Sequence, residues 1–135
     1  MTQVPHCTYE LTHNTIHRFT LVHADQQAMD EFVLKMAQII DDTPEHEQLN
    51  LLIDFRPDGI PPLRYAVTTV RDMLKERKAV QIRVAYLHEP NPVMSLVTTF
   101  LDRLRIQTRI QTQRRLFSGG DAEAEALEWI QSDEA

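Results

Sequence analysis

The residues best equipped for chemistry fall in two short groups. Asp54, Arg56 and Asp58 close one apolar run, and His88 and Glu89 close another. Carboxylates and imidazole are the common groups of general acid–base catalysis and frequent ligands of divalent metals. In those terms Asp54, Asp58 and His88 read as a base, an acid and base couple, or a metal pair. Helix capping, turn formation and solvation call for the same residue types at the same places. The pattern therefore selects a region of the chain and leaves the reaction open.

The remaining candidates are weaker. His13 and His17 are too loosely spaced on a hairpin to define a metal site, His6 falls in an N-terminal tail and His46 in a loop. Neither a cysteine pair nor a His-Glu helix motif accompanies them, so no metal or other cofactor is expected. Cys7 is the single cysteine and cannot form an internal disulfide. Gly119 and Gly120 lack the longer glycine pattern and the following Lys and Ser or Thr of a phosphate-binding loop, which argues against nucleotide hydrolysis.

Charge narrows the function classes further. Across 135 residues, 14 Lys and Arg against 20 Asp and Glu leave a net charge of −6, unfavourable for a general nucleic-acid or anionic-membrane binder. Arg103, Arg105, Arg109, Arg114 and Arg115 form a locally basic stretch without interleaved aromatics, which fits a solvated edge better than a nucleic-acid surface. A hydrophobic content of 42% suits a packed core, and membrane insertion is not expected. The polar start from Met1 to His6 does not resemble a secretory leader, so the expected location is the cytoplasm.

These residues must be positioned by regular elements, and the periodicity supplies them. Thr8 to Leu11 and Ile16 to Val22, rich in β-branched and aromatic residues around the polar Thr12 to Thr15, predict a hairpin. From Asp25, an N-cap, the residues Ala28, Met29, Phe32, Val33, Met36, Ile39 and Ile40 recur at three and four and predict a helix; Gln26, Asp30, Glu31, Lys35 and Gln38 fill its opposite side. Leu49 to Phe55 is almost continuously apolar, as expected for a central strand covered on both faces. A second helix carries Leu63, Ala66, Val67, Val70, Met73 and Leu74, ending in the basic Lys75, Arg77 and Lys78. Val80 to Leu87 predicts another strand, and Val93 to Leu104 a third helix. Ile106 to Gln113 alternates like an edge strand, and a last helix capped by Asp121 carries Ala122, Ala126, Leu127, Trp129 and Ile130.

The predicted order is β-β-α-β-α-β-α-β-α: one α/β domain over residues 1–135, with a mostly parallel central sheet under covering helices. In open sheets of this kind ligands gather beyond the carboxyl ends of the parallel strands. Four segments would meet there: His23 to Asp25, Asp54 to Pro62, His88 to Pro92, and Phe117 to Asp121.

With that order in place, the opening hairpin, Leu51-Leu52-Ile53-Asp54 before a loop and helix, and Arg115-Leu116-Phe117 with Ala126-Leu127-Glu128-Trp129-Ile130 resemble the STAS superfamily. More closely the chain is similar to stand-alone bacterial SpoIIAA-like (STAS/SEC14-like) proteins. The resemblance covers nearly the whole chain and implies a STAS-like domain acting as a non-catalytic, regulatory protein-binding module. In the anti-sigma antagonists of this superfamily a phosphorylatable Ser opens the helix after the central strand. Here the matching stretch is Asp58-Gly59-Ile60-Pro61-Pro62-Leu63, without a hydroxyl group, so the phosphoswitch is not expected.

The expected contact surface for a protein partner runs from Asp54 to Arg77 and includes Arg56, Asp58 and Arg64, with His88 and Glu89 on the neighbouring loop. The edge from Arg105 to Arg115 permits a homodimer by strand pairing. The alternative is a carrier or sensor of a small apolar or acyl molecule, implied by the SEC14-like relationship and by the adaptable Met29, Met36, Met73, Met94, Phe32 and Phe100.

Overall fold

In the computed structural model of the chain, residues 4–44, 47–77, 81–90, 99 and 111–132 are described. The opening hairpin pairs β1 (Cys7–Thr12) with β2 (Ile16–Leu21) in antiparallel register, Thr12 opposite Ile16. His13 and Asn14 both adopt positive φ, 53° and 61°, and the Thr15 N–H donates to the Thr12 carbonyl. Two consecutive left-handed residues give the turn a twist that matches its flanking strands.

Three more strands extend the sheet: β3 (Gln48–Asp54), β4 (Gln81–Leu87) and β5 (Gln111–Phe117). Spatial order equals chain order, and β2 through β5 are mutually parallel, so the sheet is mixed with β3 at its centre. The central position predicted for the Leu49 to Phe55 run is observed.

Helices α1 (Gln26–Asp42) and α2 (Leu63–Lys75) cover one face. Two right-handed crossovers stepping in the same direction along the sheet must place their helices on the same side. Between them and the sheet lies the larger core, with Phe19, Phe32, Met36, Ile40, Leu51, Ile53, Val84 and Tyr86. The last helix, α3 (Ala122–Gln131), returns to the opposite face, where Ala122, Ala126 and Ile130 pack on Ile16, Leu52, Ala85, Leu87 and Phe117. Alternation along the strands divides the cores: Leu51 and Ile53 face one, Leu52 the other.

Caps follow the sequence in part. The Asp25 side chain accepts the Ala28 N–H at 2.9 Å, as expected of an N-cap. Asp121 occupies the N-cap position of α3 but makes no side-chain cap bond; the acidic Glu123 and Glu125 of the first turn instead complement the helix dipole. The final strand also differs from expectation. It spans 111–117, four residues beyond the predicted end, because Leu116 and Phe117 are packed into opposite cores and so break the alternation that marks a half-exposed strand. The predicted helix from Val93 to Leu104 lies outside the described residues except for helical Thr99, as do residues 106–110. Among the described residues no helix is long and apolar enough to cross a membrane.

Candidate functional site: the carboxyl rim of the sheet

The parallel register sets Thr20 opposite Asp54, Asp54 opposite Leu87, and Leu87 opposite Phe117, so the carboxyl ends of four strands share one rim. Backbone bonds stitch the segments that leave it. Phe55 N–H donates to the Leu87 carbonyl at 2.8 Å and His88 N–H to the Phe117 carbonyl at 3.1 Å. Asp58 accepts the Ala24 N–H at 2.7 Å, tying the β3 loop to the segment that enters α1. The loop turns at Gly59, whose φ of +82° lies in the left-handed region favoured by glycine, and its N–H donates to the Phe55 carbonyl.

Asp54 is the centre of the rim. It is only 4% exposed, and both oxygens are engaged. Oδ1 accepts the backbone N–H and Nε–H of Arg56, each at 2.9 Å; Oδ2 accepts Arg56 Nη2 at 2.9 Å and Arg18 Nη2 at 3.3 Å. A carboxylate offers about four lone-pair positions, and four donors occupy them. Burial by itself would raise the Asp54 carboxyl, but the side-chain and backbone hydrogen bonds from Arg56 and the charges of Arg56 and Arg18 hold it below the usual carboxylate range. A saturated, firmly ionised carboxylate is poorly suited to act as a general base or to ligate a metal.

Glu123, from the first turn of α3, closes the group from the other side. Its Oε1 lies 2.5 Å from Arg18 Nη1 and 3.4 Å from Arg56 Nη2. Two guanidinium groups thus stand between two carboxylates. The hydrogen bond to Asp54 is the largest influence holding Arg56 above its ordinary value; the charges of Asp54, Glu123 and Glu89 act in the same direction.

The other predicted residues take separate positions. Asp58 is exposed and makes the loop tie described above. The His88 Nδ1–H donates to the Glu89 carbonyl at 2.8 Å, since a carbonyl only accepts, and no bond joins His88 to Asp54 or Asp58 among the described contacts. Glu89 reaches Arg56 through its charge alone, and Arg64 is exposed on the first turn of α2. The structure therefore unites Asp54 with Arg56 and leaves the proposed Asp54, Asp58 and His88 combination unassembled. Among the described residues, no three His, Cys, Asp or Glu side chains are grouped to hold a metal ion.

Three residues gain roles that their types alone did not signal. Arg18 and Glu123 lie far apart in sequence and meet only across the sheet face. Arg83, 5% exposed, donates to Gln113 Oε1 and to the carbonyls of Trp129, Ile130 and Ser132, with its guanidinium over the Trp129 ring. A charged residue between Ile82 and Val84 in an apolar strand was the available signal.

The N-terminal segment also corrects expectation. His6 is not in a free tail: its N–H and that of Cys7 both donate to Glu31 Oε1 at 2.9 Å, and its ring meets Asp25 at 2.8 Å. Glu31 and Lys35, predicted on the outer side of α1, instead meet β1; Lys35 sits over the Tyr9 ring. Burial, reinforced by the Glu31 charge, pushes the Cys7 thiol up to about 12, so it is not a thiolate nucleophile at neutral pH. Phe117 and Trp129 pack together at a centroid distance of 6.0 Å.

On the predicted pairing edge, β5 is the last strand of the sheet, with Gln113 and Arg115 exposed; residues 105–110 lie outside the described residues. Of the adaptable apolar side chains, Met29, Phe32, Met36 and Met73 are buried in the core under α1 and α2, whereas Met94 and Phe100 lie outside the described residues. Comparison with known protein families, with curated proteins and with solved structures finds no match.

Proposed function

We propose that the chain is a non-catalytic binding or regulatory module of the STAS superfamily, SpoIIAA-like in kind, which engages a protein partner through the β3 loop and α2. Support for the kinship comes from the antiparallel hairpin followed by a parallel sheet in chain order, with two helices on one face and a terminal helix on the other. The entry to α2 is Pro61-Pro62-Leu63, so partner exchange by serine phosphorylation at that point is not part of the proposal.

One observation carries the reading. Arg64, Thr68, Asp72 and Lys75 are all exposed and, at spacings of three and four, form a single polar ridge along α2; Ala66, Met73 and Leu74 anchor its other side in the core. Asp58, fixed by its bond from Ala24, lies in the loop leading to the same helix. An ordered ridge on a helix held by its apolar face loses little conformational freedom on binding, as a recognition surface requires. Asp54 contributes from inside by holding Arg56.

Alanine substitution of the exposed ridge residues Arg64, Thr68 and Lys75 together tests the surface in pull-downs with the whole chain. Specific partners are expected to be lost while thermal stability changes little; retention of every specific partner would exclude this surface.

A further inference from the structure

The carboxylate of Glu123 bridges Arg18 and Arg56 in the manner of a bound acidic ligand. We propose that this pair of arginines is a binding site for a carboxylate supplied from outside, and that Glu123 is its built-in competitor, displaced when the ligand arrives. The inference is independent of the α2 ridge.

Three features of the group lead to it. The two arginines are held in place by Asp54, so they do not have to be reorganised when Glu123 leaves: Arg56 is bidentate on Asp54, and Arg18 shares Oδ2. A guanidinium fork fixed in this way is preorganised for a planar carboxylate. Glu123 is the most exposed member, its side chain 44% accessible against 5% for Asp54. An exposed ion pair is weak because water and salt compete with it, so Glu123 can swing out while Asp54 stays. The place is also favourable to anions, at the carboxyl rim of parallel strands and beside the first turn of the ten-residue α3.

Charge selects the ligand class. With Glu123 turned away, Arg18 and Arg56 against Asp54 leave one uncompensated positive charge, which a singly charged carboxylate restores to neutrality. A phosphate dianion would overfill the site, and it would also face the negative field of Glu89, which already acts on Arg56. The ligand is accordingly a carboxylate, either the side chain of an acidic peptide or a free small carboxylic acid.

The test uses the whole chain at constant ionic strength, with the arginine Nε–H signals of Arg18 and Arg56 followed by NMR. The probes are acetate, a blocked peptide with one Glu, and inorganic phosphate. In Glu123→Gln, acetate and the peptide are expected to shift both arginine signals saturably, about tenfold more tightly than in the unsubstituted protein, because the internal competitor is gone. Adding Arg18→Gln should abolish the response. Should that double variant fail to fold, Arg18→Lys in the same background keeps the charge without the fork and should lose most of the affinity. Peptide binding tighter than acetate supports the carboxylate site and identifies an acidic peptide as its ligand; equal affinity supports it with a small acid. The proposal is overturned if folded Glu123→Gln shows no saturable response, if binding survives Arg18→Gln unchanged, or if phosphate binds more tightly than either carboxylate.

Discussion

Asp54 shows how one residue can combine two demands that usually conflict. It ends the central strand of the sheet, where an unpaired charge would be very costly, and it remains ionised because four hydrogen bonds from Arg18 and Arg56 replace its water. Its contribution is to stiffness: it fixes the first residues of the β3 loop and the direction of two arginines. Asp54→Ala should lower the unfolding free energy by about 2–3 kcal/mol in urea titrations, since both guanidinium groups lose a common acceptor but retain partial access to water. The loss should be smaller for Asp54→Asn, whose amide oxygen still accepts one of the Arg56 donors.

At the scale of the element, α3 is met at its two ends by charged side chains that come from strands. Arg18 of β2 meets Glu123 in its first turn, and Arg83 of β4 takes the carbonyls of Trp129, Ile130 and Ser132 at its last. Helix C-termini leave orphan carbonyls, and a cation there also opposes the negative end of the dipole. A ten-residue helix is too short to persist by itself, so the buried Arg83 clamp at its last turn and the Ala122, Ala126 and Ile130 face account for its position. Arg83→Ala should cost about 2–3 kcal/mol through unpaired carbonyls and a void beside Trp129. Amide exchange in the final turn of α3 should accelerate more than exchange in α1, which Arg83 does not touch; equal acceleration in both would refute a local clamp.

At the scale of the whole molecule, carboxylates hold together parts of the chain remote in sequence. Asp54 joins β3 to β2, Glu31 joins α1 to the start of β1, and Asp25 caps α1 while meeting His6. The Ala28 N–H is the main cause of the lowering at Asp25; at Glu31 burial acts upward and is outweighed by bonds from Cys7, Gln27 and His6. All three carboxyl groups sit below their ordinary values of 3.8, 4.5 and 3.8 for Asp25, Glu31 and Asp54. The unfolded chain therefore binds protons before the folded chain does. The stability these groups supply is complete above the ordinary values and is lost as pH drops through the lowered ones. A melting temperature that holds from neutral pH to the ordinary carboxylate range and then declines is expected, with a shallower decline in Asp54→Asn. An unchanged slope in that variant would remove Asp54 from the acid response.

Much of this architecture is legible in the residues because burial imposes a rhythm on them. The three-and-four spacing from Ala28 to Ile40, the apolar run Leu51-Leu52-Ile53 and the Asp25 cap each report a local environment, and each corresponds to an observed element. Where a strand is covered on both sides the rhythm disappears, and β5 accordingly runs on to Phe117, past the end that the alternation from Ile106 implies. A rim gathering the segments after Asp54, Leu87 and Phe117 also follows from parallel pairing alone. Which side chains meet on that rim does not. Arg18 and Arg56 converge between Asp54 and Glu123 because the pleat turns residues 18 and 54 to the same face and the last helix crosses back over it. Local sequence can fix a residue's burial and conformation, whereas the partner of a charge depends on distances between segments that only the packed sheet and its returning helix define.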